Sequence, residues 1–327
     1  MHAFPLSRRA AVALAVACAL GAVAPAALAQ GGKITRIVVA FPPGGPVDFV
    51  ARALSERLGH ELGEQVIVEN RAGANGALAA DFTVRAPADG RTLWLTSVGA
   101  VAINPSLYDK LSYDPAKDLA PVSLVVSNVE VLVVGEKNKA PTAREFVDAA
   151  KKGSAPLTLA SSGSGSVPHL AAELFRDASG APVSHIPYKG AAPAINDVIA
   201  GHVDGFFGDI AGVVNFIRAG KLRPIGIAAP ARSPLLPDVK TFQEMGMAGV
   251  DSDNWYGLFA PARTPRADLD RISQALKRTL ADKAVADRLA ASGSTPRWSS
   301  PAELTALLQK DTAKWGAVVK AKNIKAD

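Results

Sequence analysis

Cysteine is almost missing from this sequence of 327 residues. The single copy, Cys18, sits in an apolar N-terminal stretch, so the chain beyond it can form neither a disulfide nor a thiolate metal site. Aromatic residues make up only 6% and do not alternate with basic ones as a nucleic-acid surface requires. The later histidines, His60, His169, His185 and His202, are scattered, and His202 with Asp204 is too sparse a set to ligate a metal. No carboxylate pair stands out as an acid/base dyad. Neither G-x-G-x-x-G nor Walker spacing occurs, which argues against a dinucleotide or nucleoside triphosphate. No internal repeat, low-complexity segment or second membrane-length apolar run is present. The expectation is a chain with no cofactor, no metal and no nucleic-acid partner.

What is present begins with an export signal. Arg8 and Arg9 form a short basic region, Ala10 to Val23 an apolar one, and Ala27-Leu28-Ala29 supplies the small-x-small pattern before Gln30. Gly21 and Pro25 interrupt the apolar run short of the roughly 20 residues that a membrane span needs. Cleavage is expected after Ala29. Ala15 stands where a lipobox would place leucine, which argues against lipidation at Cys18. The mature chain then has 327 − 29 = 298 residues, and its net charge drops from +6 to +4 because two arginines leave with the signal. That length suits two ordinary domains or one large one, and so mild a charge implies solubility with weak attraction for anions.

The most telling mature segment is the first. Ile34 to Phe41 is apolar and β-branched and reads as a buried strand. It stops at Pro42-Pro43-Gly44-Gly45, and a helical pattern follows with Val47, Val50, Ala51, Leu54 and Leu58 on one face. A strand, a glycine turn and a helix N-terminus together collect free backbone N–H groups at the positive end of a helix dipole. Such a site binds a small carboxylate without a basic side chain; the alternative is that the glycines only make a tight turn. A second strand-turn-helix lies at Ala160 to His169, where Ser161, Ser162, Ser164 and Ser166 can donate to a carboxylate or cap the helix. A hydrolase would need G-x-S-x-G here, and that pattern is absent.

Strand and helix patterns alternate along the chain. Strands are expected at 65–69, 92–97, 157–160, 185–188, 203–207, 222–228 and 255–260, and helices at 75–85, 142–151, 168–177, 192–200, 213–219, 266–281, 283–292 and 301–320. Thr142 with Glu145 makes a capping box. The long β-branched stretch 122–134, divided by Ser127 and Asn128, can carry the chain from one domain to another, and 251–259 can carry it back. This predicts an α/β protein of two domains with mainly parallel sheets, 30–125 plus 255–327 and 126–254, with the ligand in the cleft between them, as in periplasmic binding proteins. Strand-end side chains face such a cleft, which nominates Tyr188, Lys189 and Asp209, while Ser97 and the Asn104-Pro105 pair read as turn residues that can also reach it. A surface turn for the first two and helix capping for Asp209 are the alternatives.

In order and spacing the chain resembles the extracytoplasmic solute receptors of tripartite tricarboxylate transporters, the Bug family, from about Ile34 to Val319. The matching pieces include Pro43 to Asp48 with Ala51 and Arg52, Val68 to Arg71, Pro87 to Gly90, Asn104 to Tyr108, Ser162 to His169, Pro187 to Gly190, Gly201 to Asp204, and Trp255 with Gly257. The resemblance implies a monomeric type II Venus-flytrap receptor, not an enzyme, that passes its ligand to membrane permease subunits. It implies a carboxylate gripped from the turn Phe41, Pro43, Gly44, Gly45 and Asp48 and, opposite, from Ser161, Ser162, Gly163, Ser166 and His169, with Ser97, Tyr188, Lys189 and Asp209 contributing. A dicarboxylate, a tricarboxylate, an aromatic acid or an acidic amino acid all suit related scaffolds. The family commonly shows Asn-Arg-Pro-Gly-Ala-Gly-Gly where this chain has Ala72 for the proline and Asn75 for a glycine. A secreted α/β hydrolase and a receptor acting in signalling are the competing functions.

Overall fold

The computed structural model describes residues 33–325; the expected signal peptide and its cleavage point lie outside the described residues. The chain begins with β1 (Ile34–Val39), α1 (Pro46–Leu62), β2 (Gln65–Asn70), α2 (Ala77–Val84) and β3 (Thr92–Ser97). Two short helices, α3 (Asn104–Leu107) and α4 (Pro115–Asp118), lead to β4 (Leu119–Asn128) and β5 (Glu130–Gly135). Then come α5 (Ala143–Lys152), β6 (Leu157–Ser161), α6 (Val167–Ser179), β7 (Val183–Pro187), α7 (Ala191–Ala200), β8 (Gly205–Asp209), α8 (Ile210–Arg218) and β9 (Leu222–Ile227). The chain closes with β10 (Asn254–Pro261), α9 (Arg266–Ala281), α10 (Lys283–Ser292), β11 (Thr295–Pro296) and α11 (Pro301–Ala321).

The strands form two sheets, ordered β11-β4-β10-β3-β1-β2 and β7-β6-β8-β5-β9. Each sheet is covered on both faces, as residue alternation shows. In β10, Tyr256 and Leu258 join a core with α1, α9 and α10, while Trp255 and Phe259 join one with Trp315 and Val319 of α11. In β5, Leu132 and Val134 pack with Phe146 and Phe175 on one face, and Val131 and Val133 with Val198 and Val213 on the other. Successive strand side chains point to opposite faces, so a run apolar at every position must be buried on both.

The sheets are mixed, not mainly parallel. β1 runs parallel to β2 and β3, and β6 parallel to β7 and β8. The strand that enters the second sheet, β5, is antiparallel to both its neighbours, and so is the strand that returns to the first, β10. Chain crossing between sheets imposes this: β4 and β5 follow each other with only Val129 between them, so the chain does not turn back through a helix first. Asn104 and Pro105, expected in a turn, instead open a helical turn, with Asn104 fully buried.

Candidate functional site

Three helices of the second sheet and one of the first begin at the same cleft. Its inner cavity, of about 40 Å³, is walled by Gly45, Pro46 and Val47 at the start of α1 and by Ser166, Val167 and Pro168 at the start of α6. Ala191 and Ala192 at the start of α7, and Gly208 and Asp209 at the β8–α8 junction, complete the ring, with Phe41, Ser97, Ser162, Asn254 and Tyr256. That volume holds roughly three water molecules. Phe41, Pro42 and Ser162 separate it from an outer vestibule of about 330 Å³ that includes Gly163, Tyr188 and Lys189. Among the described residues no lysine or arginine lines the inner cavity, so what attracts an anion there is the helix ends.

The first turn is braced from behind. Asp48 is buried and accepts from the Gly44 backbone N–H at 3.0 Å, from Asn70 Nδ2 at 2.9 Å and from Arg52 Nε at 2.9 and 3.1 Å. Asn70 also donates to the Phe41 carbonyl at 3.0 Å. Burial alone would raise the Asp48 pKa, but Arg52, the Gly44 N–H and Asn70 more than offset it and hold the carboxyl below its ordinary range. Asp48 therefore shapes the turn, and it lies outside the cavity lining. Gly44 takes φ 81°, a left-handed conformation that favours glycine, whereas Gly45 is extended at φ −79°. Pro43 and Gly44 are exposed on the outer side of the turn.

The second turn is propped in the same manner. Ser166 caps α6, accepting from the His169 N–H at 3.4 Å, and its own hydroxyl hydrogen stays available to the cavity it lines. Ser161 is fully buried, outside both cavities, with Oγ 2.6 Å from His185 Nε2 and hydrogen-bonded to Gly163. His169 is also set back: its Nδ1 accepts from the Gly165 N–H at 3.1 Å, and its ring stacks on His185 at 3.6 Å. Two histidines distant in sequence thus meet, though among the described residues no three His, Cys, Asp or Glu side chains gather to hold a metal. Tyr188 donates to Asp197 at 2.6 Å, and Lys189 is exposed at the vestibule.

Sequence reasoning missed the buried wall on which these elements converge. Glu130 at the start of β5 lies opposite Asp209 at the end of β8 in antiparallel register. Asn254 Nδ2 donates to Asp209 Oδ1 at 2.9 Å and Oδ2 at 3.1 Å, and to Glu130 Oε1 at 3.3 Å. The Tyr256 hydroxyl donates to Asp209 as well. The two acids lie far apart in the chain and are joined by the sheet. Burial, then the neighbouring Asp209, pushes the Glu130 pKa well above its ordinary range, and burial also raises Asp209. A signal was available, since Glu130 is a lone acid inside an otherwise apolar strand.

The two sides of the cleft touch in several places. Asn75 Nδ2 donates across it to the Gly165 carbonyl at 2.8 Å and also to Asn104 Oδ1 at 2.9 Å. A Cβ on Gly190 would lie 2.7 Å from the Pro42 ring, and one on Gly165 2.2 Å from Leu107. The cleft is closed.

Fold and site together define a two-domain periplasmic binding protein. The sequence matches the Tripartite tricarboxylate transporter family receptor over residues 50–324, and the chain belongs to that family. It is 34% identical over 286 residues to Protein BugT of Bordetella pertussis, covering 87% of this chain and 88% of that one. The structure is similar to that of periplasmic binding protein BugD, with a TM-score of 0.86 and 31% identity, covering 90% of this chain and 99% of that one. It is also similar to MatC from Rhodopseudomonas palustris with bound malate, with a TM-score of 0.83 and 32% identity over 88% and 99% of the two chains.

Two outcomes follow from this geometry. Burial, then His185 and Arg176, lowers the His169 pKa from 6.5 to about 3. Between those values the unfolded chain binds a proton that the folded one refuses, so stability is full above pH 6.5 and is lost as pH falls towards 3. The contribution to the slope approaches about 1.4 kcal/mol per pH unit. His169→Gln is expected to flatten that part of a stability-against-pH curve from urea unfolding; an unchanged slope would refute the assignment. Separately, Asn75→Gly removes the cross-cleft amide and still permits the φ of 45° found there. Losing that bond is expected to weaken closure by about 1 kcal/mol. Small-angle scattering of the ligand-free variant should show a larger radius of gyration, and identical profiles would count against the latch.

Proposed function

We propose that this chain is a periplasmic receptor, exported by a signal cleaved after Ala29, that binds a small organic carboxylate and delivers it to the permease of a tripartite tricarboxylate transporter. The observation that carries this reading is the ring of helix N-termini around a cavity that, among the described residues, has no basic side chain. Free N–H groups and helix dipoles stabilise an anion there. Family membership and a bound malate in MatC support the same ligand class. The jaws are 30–125 with 255–327 and 126–254, hinged where β4 passes into β5.

Within the proposed site, Phe41, Gly45, Ser97, Ser162, Ser166 and Asp209 face the ligand directly, while Pro43, Gly44, Asp48, Ser161, Gly163 and His169 shape the two turns. Tyr188 and Lys189 belong to the mouth. The protein acts as a monomer and does no chemistry on its ligand. The Ser161–His185 contact is the one feature that favours a hydrolase, yet Ser161 is fully buried and lines neither cavity, so no substrate carbonyl reaches it.

A thermal-shift screen of the mature protein tests the ligand class. An organic acid at 100 times its dissociation constant is expected to stabilise the fold by about 2.7 kcal/mol. Shifts produced by sugars or cationic amino acids, with none from organic acids, would overturn the proposal. A second test uses Gly45. Its φ is open to any residue, and a Cβ there meets only the Pro42 carbonyl at 3.5 Å, so valine folds but pushes its methyls into the cavity. Gly45→Val is expected to keep its melting temperature and lose binding by calorimetry. Unaltered affinity would reduce this turn to a connection between strand and helix.

A further inference from the structure

Glu130 and Asp209 create a problem of charge that the fold resolves in one way. Both side chains are buried, at 0% and 6% exposure. The groups facing them are few: β10 presents Asn254 and Tyr256, β9 is adjoined through the Ala228 N–H, which donates to the Glu130 carbonyl, and α8 starts at apolar Ile210. No lysine, arginine or histidine pairs with either acid among the described residues. Two buried carboxylates in contact cannot both remain ionised without a cation.

The donor count says which one keeps the proton. Asp209 receives two of the three Asn254 contacts and the Tyr256 hydroxyl, and it stands at the N-terminal end of α8, whereas Glu130 receives only the longest Asn254 contact, at 3.3 Å. Glu130 as a carboxylate would leave Oε2 without any donor. As an acid it has a proton to donate to Asp209, its partner across the antiparallel register. This wall of the cavity therefore carries one negative charge, and among the described residues Asp209 is the only charged side chain lining that space.

Asn254 adds the second observation. Its amide must turn Nδ2 toward the two carboxyls, which leaves Oδ1 buried and without a donor. Asn254 lines the cavity too, and the Tyr256 hydrogen is already committed. What this wall can still offer a ligand is acceptors.

We infer that Asp209 and Asn254 form an acceptor subsite, held at a single negative charge by the acid Glu130, that takes a hydroxyl or ammonium group of the bound organic acid and rejects a second carboxylate. This rests on the carboxylate reading above and narrows it to hydroxy and amino acids. The acid's carboxylate faces the helix N-termini and its donor group meets the Asp209 wall. A second carboxylate would sit beside Asp209 in a poorly screened space, where like charges repel strongly.

Three linear probes that differ only in one terminal group separate the possibilities: succinate, 4-hydroxybutyrate and 4-aminobutyrate. Calorimetry on the mature protein at neutral pH is expected to show at least about tenfold weaker binding of succinate than of the better of the other two. Asp209→Asn should reverse that order. Glu130→Gln should preserve it, because the glutamine amide donates where the acid did. Infrared spectra of the ligand-free wild type should contain the carbonyl stretch of a protonated carboxylic acid at neutral pH, and Glu130→Gln should lack it. This readout also serves if Asp209→Asn fails to fold. Succinate binding as tightly as the other two, an unchanged order in Asp209→Asn, or the absence of the Glu130 band would overturn the inference while leaving a carboxylate receptor in place. Binding of no organic acid at all would remove the broader proposal as well.

Discussion

A cavity walled by helix N-termini and, among the described residues, by no basic side chain is the constraint on which the rest of the molecule depends. A lysine or arginine could place its charge from many backbone positions, but a helix N-terminus acts only within its first turn. Four helices must then start at one point, and the βα unit achieves this because every helix begins where a parallel strand ends. β1 delivers α1 from the first sheet, and β6, β7 and β8 deliver α6, α7 and α8 from the second. The antiparallel crossing strands supply what the parallel units cannot. β5 and β10 enter from the other direction, so their first residues, Glu130 and Asn254, reach the same point as the last residues of the others.

Helix ends also need turns that hold their shape when no ligand is bound. In the first turn Asp48, Arg52 and Asn70 form one hydrogen-bonded cluster that fixes both the Gly44 N–H and the Phe41 carbonyl. In the second, neutral His169 accepts from Gly165, and Ser161 ties His185 to Gly163. Several of the residues that carry the family resemblance are thus part of this support. Their spacing is specific because a loop of free N–H groups has to be held by side chains from neighbouring elements, and few geometries allow it.

The elements with strong local patterns were legible in the sequence. Helices 266–281 and 283–292 and the strand 92–97 occupy the expected residues, since their periodicity and caps are local properties. Both glycine turns stood out as well. The mixed strand directions did not, because pairing partners far apart in sequence leave no local trace. For the same reason the sequence does not separate Asp48, Ser161 and His169 from residues that face the cavity: motif membership does not reveal on which side of a turn a side chain lies. The Glu130–Asp209 contact depends on strand register, and only Glu130, an acid within an apolar strand, pointed to it.

Asn75 shows how one departure from a family pattern acquires physical meaning. The family commonly has glycine at this place, and the backbone here is left-handed, with φ 45°. Asparagine is among the few other residues that tolerate that conformation, so the replacement preserves the turn. It adds an amide that reaches the Gly165 carbonyl of the opposite side, while Asn104, itself held by Tyr113, fixes the orientation of that amide. The bond exists only when the cleft is closed, and it does not involve a ligand. A contact of that kind raises the population of the closed form before binding, and apparent affinity rises with that population. It also stabilises the state that must open for release. The position of this asparagine therefore adjusts affinity and release together without touching the groups that choose the ligand.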